Sequence, residues 1–324
     1  MFCYGCGLSD TQKADLETVA SLYKEIGPEN ELGKTDLITH HIDTGNASPI
    51  KQRQYPLSPA MREHLNKEID EMLRLGIIQP SKSPWCSPLW LVKKSNGKFR
   101  ICFDGRKLNS VTVSDAYPMP LIDSIITKIR DARYLSSIDL KQAFFQIPLD
   151  KESQPKTAFA IQGRGLFEFC RMPFGLSCSP QTMCRLMDKV IGPSLEPYVF
   201  YYLDDIIICT PDFETHLIVL RKVFERLQHA KLTVNYEKCH FCRPSLKFLG
   251  FIVDQEGLRT DPDKVSAIVD YPTPKTTTQI KRLIGLVGYY RRFLKNFSAL
   301  SSPITDLLRG RKKGQPITWT PELK

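Results

Sequence analysis

The chain has 324 residues, of which 42% are hydrophobic, and it carries a formal net charge of +10. This length and composition allow two or three folded domains with real cores, which excludes a largely disordered protein, and the positive charge favours a polyanionic partner. No apolar run approaches the roughly 20 residues of a membrane span, and the N-terminus lacks a basic segment followed by an apolar one, so we expect a soluble intracellular protein, cytoplasmic or nuclear.

The ten cysteines stand in apolar contexts, where a reduced thiol acts as a small hydrophobe. Two Cys-x-x-Cys pairs, Cys3/Cys6 and Cys239/Cys242, invite a zinc interpretation. A structural zinc site needs two such pairs brought together, and these pairs lie far apart in the sequence. We therefore expect neither disulfides nor zinc.

Residues 1–50 are mixed and polar, with one predicted helix over 13–26 that ends at Gly27-Pro28. Asp43-Thr-Gly45 is the triplet of aspartic proteases. A protease subunit needs apolar strands around that triplet, but a polar segment broken by proline follows it. We therefore reject a protease site here.

Ser58-Pro59 predicts the start of a helix with one apolar face, and Gly76 predicts its end. Residues 83–103 then read as a two-stranded hairpin with a turn at 95–97. Lys93, Lys98 and Arg100 stand at the mouth of this hairpin. Such cations are either ordinary strand-edge charges or ligands for phosphate.

A helix is predicted within 118–132, and the strand after it closes on Asp139. Residues 150–169 indicate a second hairpin around Gly163 and Gly165. The loop at 170–180 then delivers a helix, with Ser179 as the expected cap and Pro180 in the first turn.

In the stretch 198–209, Asp204 and Asp205 interrupt a β-branched and aromatic run that otherwise reads as buried strand. This pattern predicts a hairpin with acid at its tip. Burying two adjacent charges is costly without a compensating cation, and carboxylates suit Mg²⁺. An exposed Asp-Asp turn is the alternative. Asp139, a third acid at the end of a short strand, favours the metal site.

Helix-like residues at 217–227 and strand-like residues at 232–235 complete the order strand, helix, two strands, helix, strand, which is the split βαβ arrangement. Beyond Pro262, helices are predicted over 265–271 and 278–294. The segment from Lys275 to Lys313 contains ten Lys or Arg residues and one acidic residue, Asp306. This basic segment is either a solvated face or a surface that contacts phosphates.

Together these motifs resemble the reverse transcriptases of gypsy-type long-terminal-repeat retrotransposons, which are related to retroviral polymerases. The resemblance covers roughly residues 35–324. Its motifs occur in the family's order: Asp139 with Phe144, Pro173-Phe-Gly-Leu176, Tyr202-Leu-Asp-Asp205 and Phe248-Leu-Gly250. It implies an α+β right-hand polymerase with a split βαβ palm, fingers and a helical thumb.

The resemblance implies the following domains: an N-terminal extension at 1–47, fingers at 48–113 and 147–178, palm at 114–146 and 179–255, thumb at 256–312, and at 313–324 the start of a linker toward an RNase H domain that we expect to be absent. Gly105 departs from the family pattern, which has an aromatic residue at this position.

The resemblance also implies functions for individual residues. The catalytic residues would be Asp139, Asp204, Asp205 and Lys238. Two Mg²⁺ ions, with Mn²⁺ as an alternative, would be bound by Asp139, Leu140, Asp204 and Asp205. Residues that bind the deoxynucleoside triphosphate (dNTP) would be Lys93, Arg100, Gln142, Ala143, Phe144 and Phe174. Primer and template would contact Tyr202, Phe248, Leu249, Gly250, Lys281, Arg282, Arg291 and Arg292.

The predicted activity is DNA synthesis from dNTPs on a primed RNA or DNA template by two-metal phosphoryl transfer. Protease, RNase H and integrase are the expected neighbours in a polyprotein, and a virus-like particle is one expected location. The alternative is a catalytically silent or incomplete nucleic-acid-binding remnant. The three acids and the basic hairpin, all intact, argue against that alternative.

Overall fold

The structure is a computed structural model that describes residues 7–24, 31–93, 99–129 and 132–319. The chain forms two compact units, Met1–Pro244 and Ser245–Lys324. Residues 245–255, which we expected to belong to the palm, are part of the second unit. All of the predicted subdomain boundaries stay predictions.

The first unit combines helices with short strands. In chain order these are α1 Asp10–Lys24, α2 Pro59–Arg74, β1 Ile78–Pro80, β2 Leu89–Lys93, β3 Phe99–Phe103, α3 Arg106–Asn109, α4 Ile122–Lys128, β4 Tyr134–Asp139, β5 Phe159–Ile161, β6 Gly165–Phe169, α5 Ser179–Val190, β7 Val199–Tyr202, β8 Asp205–Thr210, α6 Phe213–His229 and β9 His240–Arg243.

A four-stranded antiparallel sheet in the order β7-β8-β4-β9 forms the centre of this unit. With α5 between β4 and β7, and α6 between β8 and β9, the chain order is the predicted split βαβ. Ile206, Ile207 and Ile208 of β8 are all fully buried. A continuous apolar run in one strand reflects a sheet that is covered on both faces.

The last strand of this sheet was predicted at the wrong position. Residues 232–235 make only one bridge, between Val234 and Leu140, and β9 follows later at His240–Arg243. The amide of Asn235 donates to the carbonyl of Asp139, and a 3₁₀ turn at Tyr236–Lys238 then reverses the chain. The strand-like residues therefore pair with the chain beyond the end of β4.

The remaining expectations for this unit are largely confirmed. Ser58 caps α2 by accepting from the amide of Met61, and Gly76 ends the helix at φ 61°. β2 pairs with β3, although the predicted turn at 95–97 lies outside the described residues. Ser179 is not a cap: it is the first helical residue, and its hydroxyl donates to the carbonyl of Pro173.

The second unit contains a three-stranded sheet followed by helices. Its elements are β10 Ser245–Phe248, β11 Phe251–Asp254, β12 Gly257–Thr260, α7 Pro262–Val269, α8 Thr277–Gly288 and α9 Phe297–Asp306. Helix α8 ends at Gly288, before the predicted end at 294, and Ile280 is its fully buried apolar residue. In the part of the chain that the structure describes, no helix is both long and apolar enough to cross a bilayer.

Candidate active site

The ladder between β4 and β8 places two of the three predicted acids directly opposite each other. The register runs from Tyr134 opposite Thr210 to Asp139 opposite Asp205. The turn between β7 and β8 consists of Leu203 and Asp204, with Leu203 at a φ of 56°. A leucine in the left-handed region costs about 1 kcal/mol, and such local strain is common at functional sites.

The three carboxylates are crowded. The pKa of Asp205 is raised from 3.8 to about 6 by loss of hydration and then by repulsion from Asp204 and Asp139, while Lys238 lowers it. Asp205 is exposed, so we attribute the direction of this shift above all to the neighbouring negative charges. Lys238 Nζ lies 3.0 Å and 3.2 Å from the two carboxylate oxygens of Asp139.

This acidic cluster has the chemistry of a divalent-cation site. Among the described residues no three His, Cys, Asp or Glu side chains are already arranged as metal ligands. The donor set nevertheless fits Mg²⁺, because carboxylate oxygens are its preferred ligands and crowded negative charge favours a cation. Leu140 offers no ligand atom in its side chain, so its contribution would be its backbone carbonyl.

A cleft of about 690 Å³ opens beside these acids. It brings together eight residues that the sequence singled out: Asp139, Leu140, Gln142, Ala143, Phe144, Phe174, Asp204 and Lys238. Tyr202 lies next to this group, paired with Asp205 across the β7–β8 hairpin.

The turn after β4 forms one wall of the cleft. Gln142 adopts left-handed backbone angles, φ 46° and ψ 48°, and a 3₁₀ helix follows at Ala143–Gln146. The ring of Phe144 lies 4.9 Å from that of Phe174. Buried Gln146 holds this wall in place, because its amide donates to the carbonyls of Lys141 and Thr233 and accepts from the amide of Thr233.

Phe99 and Ile101 of β3 also line the cleft, so the β2–β3 hairpin contributes to it. In this hairpin Lys93 pairs with Phe99 and Arg100 with Val92. The side chains of Lys93 and Arg100 lie outside the described part of the structure. Their assignment to the nucleotide therefore stays a prediction.

Sequence reasoning missed one side of the cleft. Glu68, Glu71 and Met72 of α2 line it, as do Tyr236 and Glu237. The sequence indicated which face of α2 is apolar, and the acids beside that face looked like ordinary solvated residues. The two acidic residues of α2 carried no signal that separates a cleft wall from a surface.

The loop that carries Phe174 packs tightly on the chain after β3. The amide of Phe103 donates to the carbonyl of Phe174, and Asn109 Nδ2 donates to the carbonyl of Gly175 over 2.9 Å. A Cβ atom on Gly105 would come within 2.6 Å of that same carbonyl. The departure from the family pattern at Gly105 thus coincides with a close backbone approach.

The second Cys-x-x-Cys pair is buried in the first unit. Burial raises the pKa of both Cys239 and Cys242 to about 12, so these thiols stay protonated. Cys3 and Cys6 lie outside the described residues.

In the second unit, the predicted Phe248-Leu-Gly250 motif forms the turn between β10 and β11. Leu249 and Gly250 both have positive φ, 49° and 76°, as a tight two-residue hairpin requires. Tyr289 donates to the carbonyl of Leu249, and Tyr290 donates to that of Gly250 over 2.9 Å. The sequence did not indicate that these two tyrosines hold the turn.

The predicted basic residues of this unit are exposed. They are Lys275, Lys281, Arg282, Arg291, Arg292, Lys295, Arg309, Arg311, Lys312 and Lys313. Arg292 also lies over the ring of Phe251, 5.9 Å from its centroid. This surface is available to a polyanion.

Comparison with known proteins gives a consistent result. Residues 92–253 match the profile described as reverse transcriptase (RNA-dependent DNA polymerase). In Drosophila melanogaster, the chain is 40% identical to the retrovirus-related Pol polyprotein from transposon 297 over 86% of its own length, and 36% identical to that from transposon gypsy over 91%. The chain spans only 27% and 29% of these relatives, respectively.

Comparison with solved structures also finds similarity to reverse transcriptases. The chain is similar to a foamy viral protease-reverse transcriptase in complex with double-stranded DNA, with a TM-score of 0.87 and 28% identity over 98% of this chain and 56% of that one. It is also similar to the same kind of protein in complex with an RNA/DNA hybrid, with a TM-score of 0.83 over 98% of this chain and 43% of that one.

Proposed function

Because the chain belongs to the reverse transcriptase (RNA-dependent DNA polymerase) family, we propose that it extends a primer with dNTPs on an RNA or DNA template. The observation that carries this proposal is the cross-strand pair of Asp139 and Asp205, with Asp204 in the adjoining turn, beside a cleft large enough for a nucleotide. The complexes of similar proteins with double-stranded DNA and RNA/DNA hybrid support a duplex as partner.

We assign the metal site to Asp139, Asp204, Asp205 and the carbonyl of Leu140, which would hold two Mg²⁺ ions, with Mn²⁺ as an alternative. Such ions, when bound, activate the primer 3′-hydroxyl and stabilise negative charge on the leaving pyrophosphate. The crowding that raises the pKa of Asp205 supports this assignment, because a divalent cation would relieve it.

The residues of the chain itself bind and orient the substrate. Gln142, Ala143, Phe144 and Phe174 would contact the sugar and base of the nucleotide, and Lys93 and Arg100 its triphosphate. Lys238 Nζ lies 3.0 Å from a carboxylate oxygen of Asp139, which supports the proposal that Lys238 would donate an ammonium proton to the leaving pyrophosphate.

The primer and template would lie on Tyr202, on the turn at Phe248–Gly250 and on the exposed basic residues Lys281, Arg282, Arg291 and Arg292. Since the relatives are polyproteins about four times as long as the matched region, we propose that this polymerase works alongside protease, RNase H and integrase.

Primer extension on an RNA template with Mg²⁺ and dNTPs tests the proposal, with Asp204→Asn and Asp139→Asn as variants. Removing a metal ligand impairs the chemical step but leaves the phosphate contacts unchanged. The rate of primer extension should therefore fall by about 10²-fold or more in each variant, while duplex affinity stays that of the wild type. Glu237→Gln, an exposed cleft residue with the same change of charge, is the control and should extend normally.

Near-wild-type extension by Asp204→Asn or Asp139→Asn would contradict the site assignment. Duplex binding without extension by the wild type would favour the nucleic-acid-binding remnant.

A further inference from the structure

Arg171 is a buried arginine whose described hydrogen bonds all end on backbone carbonyls. Its guanidinium donates to Gly33 over 2.7 Å and to Phe145 over 3.2 Å through Nη1, to Gly76 over 3.4 Å through Nε and to Leu75 over 3.4 Å through Nη2. The residue is only 7% exposed. Removing a charged side chain from water is costly, so a buried guanidinium bonded only to carbonyls requires a reason.

The acceptors belong to three separate segments. Leu75 and Gly76 end helix α2, where the last carbonyls lack partners inside the helix and carry partial negative charge. Phe145 lies in the 3₁₀ helix that carries Phe144. Gly33 lies in the segment 31–35 before α2, which we call the arm. One planar cation thus joins two walls of the cleft, since Leu75 lines one and Phe144 the other.

The main chain on either side of Arg171 connects the same two walls. Cys170 donates to the carbonyl of Ile77, and Met172 donates to that of Ile147, each over 2.8 Å. Ile77 follows α2, and Ile147 follows the Phe144 turn. The segment 170–172 therefore spans the same two walls through its main chain, and the guanidinium adds a second set of bonds between them.

The arm is also hydrogen-bonded to Thr233 and Gln146. The amide of Gly33 donates to the hydroxyl of Thr233, and the amide of Thr35 to the carbonyl of Gln146. A Cβ atom on Gly33 would overlap the carbonyl of Lys231. The arm and Arg171 are therefore bonded to each other, and both are bonded to the turn at 142–146.

We propose that Arg171 is a positioning residue for nucleotide selection: by tying the end of α2 to the Phe144 turn, it sets the width of the cleft at the nucleotide sugar. This inference rests on the proposed polymerase function. In a close-packed site, small displacements of a wall change discrimination by large factors. Loss of the guanidinium should therefore relax the choice between deoxyribonucleotide and ribonucleotide.

The test compares Arg171→Met and Arg171→Lys in the full chain. Lysine keeps the charge but cannot reach acceptors on three segments with a planar fork. The matched control is Arg164→Met, because Arg164 bonds to the same helix, through the carbonyl of Asn66 and through Asp70, whereas Arg171 also bonds to the Phe144 turn. The measurement is the ratio of kcat/KM for a dNTP to that for the matching ribonucleotide.

We expect this ratio to fall by about 10-fold or more in Arg171→Met, to fall less in Arg171→Lys and to stay unchanged in Arg164→Met. Most of the effect should appear as a lower KM for the ribonucleotide, with duplex affinity unaltered. A ratio unchanged in both Arg171 variants would overturn the proposal. If Arg171→Met does not fold, the Lys variant alone decides.

Hydrogen exchange separates this proposal from the polymerase function itself. The amides of Phe145 and Ile147 are bonded within the Phe144 turn. They should exchange faster in Arg171→Lys than in the wild type and in Arg164→Lys, whether or not the protein extends primers. Equal exchange in all three would contradict the positioning role. If the wild type fails to extend primers, the proposed polymerase function is contradicted, but the positioning role of Arg171 is not.

Discussion

Two adjacent phenylalanines follow Asp139 in the chain and have different environments. Phe145 is 8% exposed and packs against Phe169 and Phe174. Phe144 is half-buried, lines the cleft and has its ring against Phe174. Phe145 lines the cleft as well, but its ring is buried, so Phe144 is the more accessible of the two to a nucleotide, which the residue types alone did not indicate.

Replacing Phe144 should alter the choice of sugar. A rigid ring beside the ribose excludes a 2′-hydroxyl by overlap, which is worth a few kcal/mol and hence on the order of 10²-fold. Phe144→Val should raise ribonucleotide incorporation strongly while dNTP use falls only moderately, measured as kcat/KM in primer extension. Phe145→Val is the control, because it should lower stability without changing the preference. Equal decreases for both sugars in Phe144→Val would make this ring structural.

At the scale of elements, the sequence predicts a helix or hairpin correctly where the residues that determine it are close together in the chain. Ser58, Pro59 and Gly76 bracket α2, and the β-branched and aromatic run interrupted by Asp204 and Asp205 predicts the β7–β8 hairpin. The strand at 240–243 was missed because its pairing depends on β4, about a hundred residues away. Helix α9 was missed because Pro303 lies inside it.

The same limit holds for the site. The three acids and Phe144 were predicted as site residues because each stands within a short motif. Arg171, Gln146 and the acids of α2 gave no local signal, since their importance lies in interactions with segments distant in sequence. The roles of these residues depend on strand register and on long-range hydrogen bonds, and neither can be predicted from a single segment of the sequence.

The Phe174 loop provides a prediction at this scale. Gly175 has φ 111°, and a Cβ atom there would overlap the carbonyl of Phe103. Gly163, at φ 82° in the turn between β5 and β6, has open space at the same position. Gly163→Ala should cost about 1–2 kcal/mol of unfolding free energy through backbone strain alone.

Gly175→Ala should cost clearly more than Gly163→Ala, because a backbone carbonyl has to move as well. It should also raise the KM for dNTP, since Phe174 would shift with the loop. Urea unfolding and primer extension measure the two effects. Equal unfolding free energies for the two variants would show that the close approach to Phe103 relaxes without cost.

At the scale of the whole molecule, stability should depend on pH through two buried histidines. Burial lowers the pKa of both His40 and His216 to about 4. His216 is fully buried and bonded to the hydroxyls of Ser136 and Thr210. Both rings are therefore neutral in the folded state, whereas in the unfolded chain they titrate near a pKa of about 6.5.

Because the folded pKa values are lowered, this stability is complete above about pH 6.5 and is lost as pH falls toward 4. Each histidine contributes up to about 3 kcal/mol across that window. In His216→Gln the fall in unfolding free energy from about pH 6.5 to about pH 4.5 should be smaller, whatever its stability at neutral pH. His229→Gln, at the exposed end of α6, should show the same change of unfolding free energy with pH as the wild type. If His216→Gln also shows the wild-type change, His216 is not a source of the pH dependence.

The distribution of charge leads to the last prediction. The net charge of the chain is +10, and the exposed basic residues between Lys275 and Lys313 face one acid, Asp306, which pairs with Arg309. A polymerase that must slide along any sequence has to bind the backbone of the duplex, and binding to phosphates releases counterions. Removing the cation that neutralises one phosphate of a B-like duplex should lower the slope of log K against log salt by about 0.9.

Replacing four of these residues by Gln should therefore weaken duplex binding equally across sequences and flatten the salt slope, by up to about 3.6 if all four bind phosphates. The four are Lys281, Arg282, Arg291 and Arg292. The control removes the same charge from exposed positions of the first unit: Lys13, Lys67, Lys128 and Lys231. Both variants lower the net charge from +10 to about +6, so general attraction falls equally in both. A salt slope that flattens more in the first variant than in the control therefore reports direct binding to phosphates, while equal slopes would identify the basic segment as a solvated face.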